Sequence, residues 1–206
     1  MAASPRPSST AMEPESNMEN SRRWFSSKIQ LALIFLCLIL FATGSCIFYI
    51  EEQNNFHLVT TESAYRSAQL DRGELQYYVS KYDIKSIINL RGECTGEQWY
   101  GEEKDVSRML GVKHYDIDLS AYIKPTPDQM DRLIAIFREA KPPVLIHCRG
   151  GADRSGFASA VWKVIIDKET KSTAQKQLSI VYGHLPFGAA RVLDDFFEDW
   201  QPEPLS

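Results

Sequence analysis

Cysteine is scarce in this chain, and its spacing excludes two common uses of the residue. Four cysteines, Cys37, Cys46, Cys94 and Cys148, are spread over 206 residues, and none belongs to a CxxC pair. Disulfide frameworks and structural zinc sites need clustered or paired cysteines. The pattern therefore leaves single cysteines available for chemistry, and we expect no metal.

A surplus of basic residues is also absent. The formal net charge is −4 and the pI is near 5.6, whereas nucleic-acid-binding proteins usually show a basic surface. We therefore expect no nucleic-acid partner, and a few local donors must hold any anionic substrate. The hydrophobic fraction of 44% is that of an ordinary folding sequence, and the length allows one globular domain beyond the N-terminal region.

Charge is missing from one long segment near the N-terminus. Residues 29–50 contain no Asp, Glu, Lys or Arg and consist mainly of Leu, Ile, Phe, Ala and Cys. At about 1.5 Å per residue, a helix of this length matches a hydrocarbon core of about 30 Å. We predict a transmembrane anchor here, between a flexible polar tail at 1–28 and a folded domain at 51–206.

A cleavable signal peptide is the alternative for this segment, because small residues lie near its end at Ala42, Gly44 and Ser45. The long preceding tail and the continued apolar run argue against cleavage. Basic residues precede the span and acidic residues follow it. The positive-inside rule then predicts a single-pass protein with a cytoplasmic N-terminus and a non-cytoplasmic domain.

The body alternates helical and extended patterns. Asp71 and Thr126 are suitable N-caps, Pro127 suits a first helical position, and Gly111 suits a helix end. The predicted helices are 71–82, 98–110, 126–140 and 155–167, and the predicted strands are 86–90, 112–117 and 144–146. This order predicts an α/β domain with a mostly parallel central sheet flanked by helices.

One segment, VLIHCRGGADRSG at residues 144–156, carries the chemistry. An apolar strand ends at Cys148, a turn containing Gly150 and Gly151 follows, and a helix begins. Such a turn allows the backbone N–H groups of Gly150, Gly151 and Ala152 to converge on one anion at a helix N-terminus. A cysteine at the base of this cradle is favoured as a thiolate.

The residues around this cysteine fit a covalent reaction at phosphorus. Arg154 can bind two phosphate oxygens with its planar guanidinium. Ser155 can donate a hydrogen bond to the sulfur when the sulfur leaves. For His147, hydrogen bonding that fixes the loop is the expected role.

These residues resemble the HCx5R(S/T)G signature of the cysteine-based protein tyrosine and dual-specificity phosphatases. The flanking sequences AYRSAQL at 64–70, INLRGE at 88–93 and YGH at 182–184 are similar to a bacterial dual-specificity-like branch. The resemblance implies a central sheet flanked by helices, no metal and no cofactor.

The chain departs from that family at the general acid, because Ala121 stands where an Asp is usual. Asp153 and Asp118 are the catalytic candidates, and Asp116 is a further rival. Asp153 has an alternative role, which is to orient Arg154 through an ion pair. Asp128 is explained by the charge preference of a first helical turn.

Two more arginines are candidate substrate-binding residues. Arg149 lies inside the loop and Arg91 follows a predicted strand, and for each a solvated surface charge is the competing interpretation. Cys94 is the other cysteine of the domain, and it is either an unpaired loop cysteine or a partner for oxidised Cys148.

The sequence thus predicts a phosphatase for phosphate monoesters that acts through a phospho-cysteine at Cys148. The substrate is a phosphorylated protein, a phospholipid of the phosphoinositide type or a sugar phosphate, and the sequence does not separate them. A pseudophosphatase that binds phosphate without turnover is the second hypothesis. A rhodanese-like sulfur carrier is a third, which the Arg-Ser-Gly exit of the loop disfavours.

Overall fold

The structure is a computed structural model that describes residues 28–45 and 54–202. The chain divides into two units, Met1–Cys46 and Ile47–Ser206. Residues 1–27 of the predicted tail and the last five residues of the predicted span, 46–50, lie outside the described residues, and the last tail residue, Lys28, begins the first helix.

The first unit contains helix α1, Lys28–Ser45, whose side chains are exposed. Its length and apolar composition would let it cross a membrane, although a signal sequence would have the same properties. This helix accounts for most of the apolar segment predicted at 29–50.

The second unit is built on a five-stranded sheet in the order β1-β2-β5-β3-β4. The strands are β1 His57–Thr60, β2 Ala64–Ser67, β3 Ser86–Asn89, β4 Lys113–Asp116 and β5 Val144–His147. Only the β1–β2 pair is antiparallel, and every other pair in this sheet is parallel. This confirms the predicted α/β class with a mostly parallel sheet, and it adds β1 and β2, which the sequence patterns had not predicted as strands.

Helices cover the sheet. They are α2 Arg72–Tyr82, α3 Gln98–Leu110, α4 Pro127–Glu139, α5 Asp153–Ile165, the single turn α6 Lys171–Ala174, and α7 Arg191–Asp199. Short 3₁₀ turns lie at Gln175–Gln177, Ile180–Tyr182 and Gly188–Ala190.

Local signals explain most helix limits. Asp71 caps α2 and Thr126 caps α4, each in a reciprocal capping box with the residue three positions later. Gly111 ends α3 with a φ of 67°. These three limits agree with the predictions.

The start of α5 differs from its prediction. The helix begins at Asp153, two residues before the expected Ser155, and ends at Ile165. An acidic residue is favourable in a first helical turn, and Asp153 occupies that position. The arginine and serine of the signature are therefore already helical, which fixes their direction relative to Cys148.

Strand β5 lies in the middle of the sheet and is buried along its whole length. Its side chains alternate between two apolar cores, with Val144 and Ile146 in one and Leu145 in the other. Burial on both faces holds the carboxyl end of β5 firmly, and the candidate site begins there.

Candidate active site

The loop that joins β5 to α5 forms a cradle, which we call the phosphate loop, residues 148–154. It follows the carboxyl end of a central parallel strand, the usual place for ligands in open α/β sheets. The orientation of its peptide groups decides what it can bind.

Arg66 on β2 donates hydrogen bonds to the backbone of the second half of the loop. Its Nη2 donates to the carbonyl oxygens of Gly151 at 3.0 Å and Ala152 at 2.8 Å, and its Nη1 donates to the carbonyl of Gln177 at 2.7 Å. The side chain is fully buried, and its guanidinium lies 4.4 Å from the centre of the Tyr182 ring. Burial lowers the pKa of Arg66 to about 10, so it stays charged at neutral pH.

Two other groups hold the first half of the loop. The buried Asn55 donates its Nδ2 to the carbonyl of Gly150 at 3.0 Å and to that of Tyr182 at 2.9 Å. The backbone N–H of Gln69 donates to the carbonyl of Arg149 at 3.1 Å.

Four successive carbonyl groups therefore point away from the interior of the loop. In a trans peptide the N–H points opposite to the carbonyl, so the N–H groups of the following residues face inward. Converging N–H groups at a helix N-terminus form an anion site. The loop thus has the geometry that phosphate binding requires.

Gly151 is the residue at which the loop turns most tightly. Its φ is +68°, and a Cβ atom there would lie 2.5 Å from the N of Ala68 and 2.7 Å from the carbonyl carbon of Ser67. A side chain is therefore excluded by both conformation and space. Gly150 is different, because a Cβ on it would meet nothing within 4 Å.

Cys148 lies at the floor of the loop and is 3% exposed. Its Sγ is 3.5 Å from the Oγ of Ser155, a distance within the range of a sulfur hydrogen bond. The preceding His147 is buried and its Nε2 is 3.1 Å from Oε1 of Glu103 on α3. This contact anchors the residue before the cysteine to a helix behind the sheet.

Arg154 is fixed at the mouth of the loop. Its Nη1 lies 3.5 Å from the carbonyl oxygen of Leu90 and 3.4 Å from that of Leu119. These carbonyls belong to the segments that follow β3 and β4. Two neighbouring strand ends thus orient the guanidinium from the outside.

A cavity of about 510 Å³ opens above Cys148. Both acid candidates line it, Asp118 from the segment after β4 and Asp153 from the loop. The full lining is Asp118, Leu119, Ser120, Ala121, Tyr122, Cys148, Arg149, Gly150, Ala152, Asp153 and Arg154.

The two acid candidates differ in their partners. Asp153 Oδ1 is 2.7 Å from Nδ1 of the buried His184, and the ion pair of Asp153 is with this histidine and not with Arg154. Asp118 is exposed, and within the described part of the domain its carboxylate has no hydrogen-bond or ion-pair partner.

The remaining acids are placed away from the cavity. Asp116 faces Tyr100, Asn89 and His114. Burial alone would raise the pKa of Asp116, but its contacts with His114, Asn89 and Tyr100 lower it to about 2. Asp128 lies in the first turn of α4, as expected. Neither residue is among those that line the cavity.

The structure separates the two candidate substrate-binding arginines. Arg149 is exposed and lines the cavity. Arg91 stacks on Trp99, with its guanidinium carbon 3.6 Å from the ring, and its Nη1 donates to Gln69 Oε1 at 3.0 Å. Burial lowers the pKa of Arg91, and the charges of Arg154 and Arg149 lower it further, whereas Cys94 acts in the opposite direction. Cys94 and Cys148 are both free thiols.

Four residues that support the site were not singled out by sequence reasoning. These are Asn55, Arg66, His184 and Asp194. The position of Arg66 in the segment AYRS could have indicated a structural role. A charged side chain in a buried strand needs hydrogen-bonding or ion-pair partners. Asn55 and Asp194 carry no comparable signal, since their partners are distant in sequence.

Comparison with known families agrees with this geometry. A sequence model of the family described as "DSP-PTPase phosphatase fused to NAD+ Kinase" matches residues 50–185, more than half of the chain. The chain belongs to this family. It is therefore a member of the cysteine-based phosphatases that the HCx5R signature indicated, whereas no curated protein matches it.

Solved structures of phosphatases share the fold of this family member. TpbA of P. aeruginosa is 16% identical with a TM-score of 0.55, over 73% of this chain and 87% of TpbA. The catalytic core of Siw14 from S. cerevisiae is 19% identical with a TM-score of 0.58, over 72% of this chain and 86% of that core. Tk-PTP is 20% identical with a TM-score of 0.53, over 71% of this chain and 98% of Tk-PTP.

Proposed function

We propose that this chain hydrolyses phosphate monoesters through a covalent phosphate ester of Cys148. One observation carries the proposal: Cys148 lies under a loop whose carbonyls at positions 149 to 152 are all turned away by Gln69, Asn55 and Arg66. Such a loop stabilises negative charge both on the sulfur and on a bound phosphate.

The reaction has two steps. The Cys148 thiolate attacks phosphorus, the S–P bond forms, the bond from phosphorus to the leaving oxygen breaks, and an acid gives that oxygen its proton. Water then attacks phosphorus, the S–P bond breaks, the same carboxylate takes a proton from the water, and inorganic phosphate leaves. Arg154 and the loop N–H groups bind the phosphoryl oxygens, and Ser155 donates to the departing sulfur.

Two carboxyl groups are candidates for the acid, because Asp118 and Asp153 both line the cavity. Each can be tested with a series of substrates that differ in leaving-group basicity. Removal of the true acid slows substrates with poor leaving groups more than activated aryl phosphates, since only the former need a proton.

The substrate we propose is a phosphorylated protein or a phosphoinositide-like lipid. The cavity is open, and Tyr122 on its rim is 67% exposed. An exposed aromatic side chain there suits an aryl or amphiphilic phosphate better than a small sugar phosphate. Among the structural relatives, TpbA is known in complex with phosphotyrosine, and Siw14 is described as a PP-IP phosphatase.

A panel of phosphopeptides and phosphoinositides, assayed with the full-length protein for release of inorganic phosphate, tests this choice. We expect at least one of these classes to be turned over faster than a sugar phosphate panel. Preference for sugar phosphates would overturn the proposed substrate class and would leave the phosphatase reaction in place.

We also propose that α1 anchors the chain in a membrane, with the N-terminal tail in the cytoplasm and the phosphatase domain on the other side. The support is the apolar composition of Lys28–Ser45 and the basic residues before it.

The alternative is a pseudophosphatase that holds phosphate without turnover. Turnover of an aryl phosphate by the full-length protein decides between the two, with Cys148→Ser as the test variant and Cys94→Ser as the matched control. We expect Cys148→Ser to abolish turnover and to keep phosphate binding, while Cys94→Ser remains active. An inactive wild-type protein that binds phosphate would establish the pseudophosphatase.

A further inference from the structure

His184 is a buried titratable residue for which the two-step reaction has no role. It is fully buried and lies just after the 3₁₀ turn Ile180–Tyr182. Its Nδ1 is 2.7 Å from Oδ1 of Asp153, and its Nε2 is 2.8 Å from Oδ2 of Asp194 on α7. One imidazole is thus held between a carboxylate of the phosphate loop and a carboxylate of the C-terminal helix.

Two short contacts to carboxylates restrict the protonation of this imidazole. A neutral histidine has one N–H and one lone pair, so it can donate to only one of the two carboxylates. The positively charged form donates to both. Burial alone would lower the pKa of His184, but hydrogen bonds and charge from Asp153 and Asp194 outweigh it and raise the pKa.

Two further features surround the Asp153 carboxylate. Asp153 is the first residue of α5, where the N–H groups and the helix dipole stabilise negative charge. The guanidinium of Arg66 is close enough to interact with it electrostatically. The Asp153 carboxylate is therefore already engaged by His184 and faces the charge of Arg66.

The same histidine attaches a whole segment to the loop. Residues 179–187 contact the phosphate loop directly through His184 and Asp153. They are also linked to it through Asn55, which donates to the carbonyls of both Tyr182 and Gly150. The Tyr182 ring, in addition, packs on the guanidinium of Arg66. Breaking the His184–Asp153 ion pair would remove the one of these attachments that is made directly to a loop side chain.

We propose, building on the proposed function, that His184 is a positioning residue: its imidazole, clamped by Asp153 and Asp194, occupies the Asp153 carboxylate and docks residues 179–187 on the phosphate loop. The proton donor to the leaving group is then Asp118. Asp118 lines the same cavity from the segment after β4, and its exposed carboxylate has no hydrogen-bond or ion-pair partner among the described residues.

The clamp has a defined pH dependence. A histidine whose pKa is raised by folding stabilises the structure fully below its unfolded value of about 6.5, and this contribution is lost as the pH rises through the folded value. The charged groups that face His184 are Asp153 on α5 and Asp194 on α7, with Arg66 on β2 beyond Asp153. Activity that depends on the clamp therefore falls on the alkaline side.

Histidine NMR tests the clamp directly, because the chain contains four histidines. In full-length Cys148→Ser protein labelled with ¹⁵N-histidine, we expect both ring nitrogens of His184 to be protonated at pH 7. Loss of its signal in His184→Gln assigns the resonance. Asp194→Asn keeps a hydrogen-bond acceptor and removes a charge, so it should shift the His184 titration to lower pH. A neutral His184 at pH 6 in the wild-type sequence would overturn the clamp.

Leaving-group dependence tests the assignment of the proton donor. A general acid contributes roughly 10²–10⁴-fold. Asp118→Asn should therefore lower kcat/KM, which reports the first step, about 100-fold for a poor leaving group and far less for an activated aryl phosphate. Asp153→Asn should slow both equally. A selective effect at Asp153 and none at Asp118 would overturn the inference. Release of the activated aryl group needs attack by Cys148 but no proton donor. Its turnover therefore tests the proposed phosphatase function separately from the assignment of the acid.

The pH dependence of kcat tests the His184 clamp in a protein that lacks the proposed proton donor. With an activated aryl phosphate and an Asp118→Asn background, the alkaline limb of kcat should move to lower pH in Asp194→Asn. His184→Gln should lack this limb and show a reduced plateau. A merely structural histidine would lower stability in these variants and leave the limb where it is, which would contradict the proposal.

Discussion

At the scale of single residues, the phosphate loop depends on groups that sit outside it. Arg66 donates to two loop carbonyls and Asn55 to a third. The charged hydrogen bonds from Arg66 contribute about 1.5–3 kcal/mol each, and the neutral one from Asn55 about 0.5–1.5 kcal/mol. The loop signature is therefore necessary for the site, but Arg66 and Asn55 set the direction of its peptide groups.

The two adjacent glycines of the loop give a matched pair of variants. Gly151→Ala places a Cβ against the Ala68 and Ser67 backbone at a φ of +68°, whereas Gly150→Ala meets open space. We expect Gly151→Ala to lower the free energy of unfolding by about 2 kcal/mol or more, from αL strain plus the clash. Gly150→Ala should change it by less than about 0.5 kcal/mol. Urea unfolding of both proteins measures the difference, and equal stabilities would show that the loop has another backbone conformation.

The residues of the signature were predictable from sequence, because their spacing alone implies a strand, a turn and a helix N-terminus. Cys148, Arg154 and Ser155 are where that spacing predicts. The partner of Asp153 was not predictable, since His184 lies 31 positions away. An ion pair with Arg154 was one of the two roles considered for Asp153, and in the structure Asp153 pairs with His184 instead.

At the scale of helices and strands, a buried polar network ties α3 to the sheet. Glu103 on α3 faces His147 on β5 at 3.1 Å, His114 on β4 at 2.7 Å and the Nε2 of Gln69 at 2.7 Å. Burial alone would raise the pKa of Glu103, but the charge of His147 and the hydrogen bonds from both histidines hold it well below its usual range. The network fixes the residue before Cys148.

This network predicts a pH dependence of stability. Because folding lowers the pKa of Glu103, its contribution is present above the unfolded value of about 4.3 and is lost as the pH falls further. Glu103→Gln should cost about 2 kcal/mol at pH 7 and should remove much of the acid-side loss. Thermal unfolding at several values from about pH 3 to about pH 7 measures the loss of stability on the acid side. Glu102→Gln on the same helix is the control, and identical acid profiles for the two variants would refute the role of Glu103.

Helix limits were predictable where the signal is local. The start of α4 is indicated by three nearby residues, Thr126, Pro127 and Gln129. In the structure Thr126 is the N-cap, Pro127 is the first helical residue and Gln129 completes the capping box. The sequence patterns missed strands β1 and β2, whose segments HLVT and AYRS mix apolar and polar side chains. Their pairing with each other and with β5 is a tertiary effect that no local pattern expresses.

At the scale of the whole molecule, an apolar helix and a phosphatase domain share one chain. The proposed topology can be tested in sealed vesicles whose outer face is the cytoplasmic one. Protease added outside should cut a tag at the N-terminus and should leave a tag after Ser206 intact. The reason is the bias of Arg and Lys before residue 29. The opposite pattern would place the domain in the cytoplasm, and loss of the N-terminal tag during maturation would identify a cleaved signal sequence.

The central claim is that phosphate passes through the sulfur of Cys148. The most direct measurement is rapid acid quenching of the full-length protein during turnover of an activated aryl phosphate, followed by mass spectrometry of its peptides. We expect one phosphoryl group on the peptide that contains Cys148 and none in Cys148→Ser. Turnover without a phosphorylated Cys148, or a phosphoryl group on another residue, would contradict it.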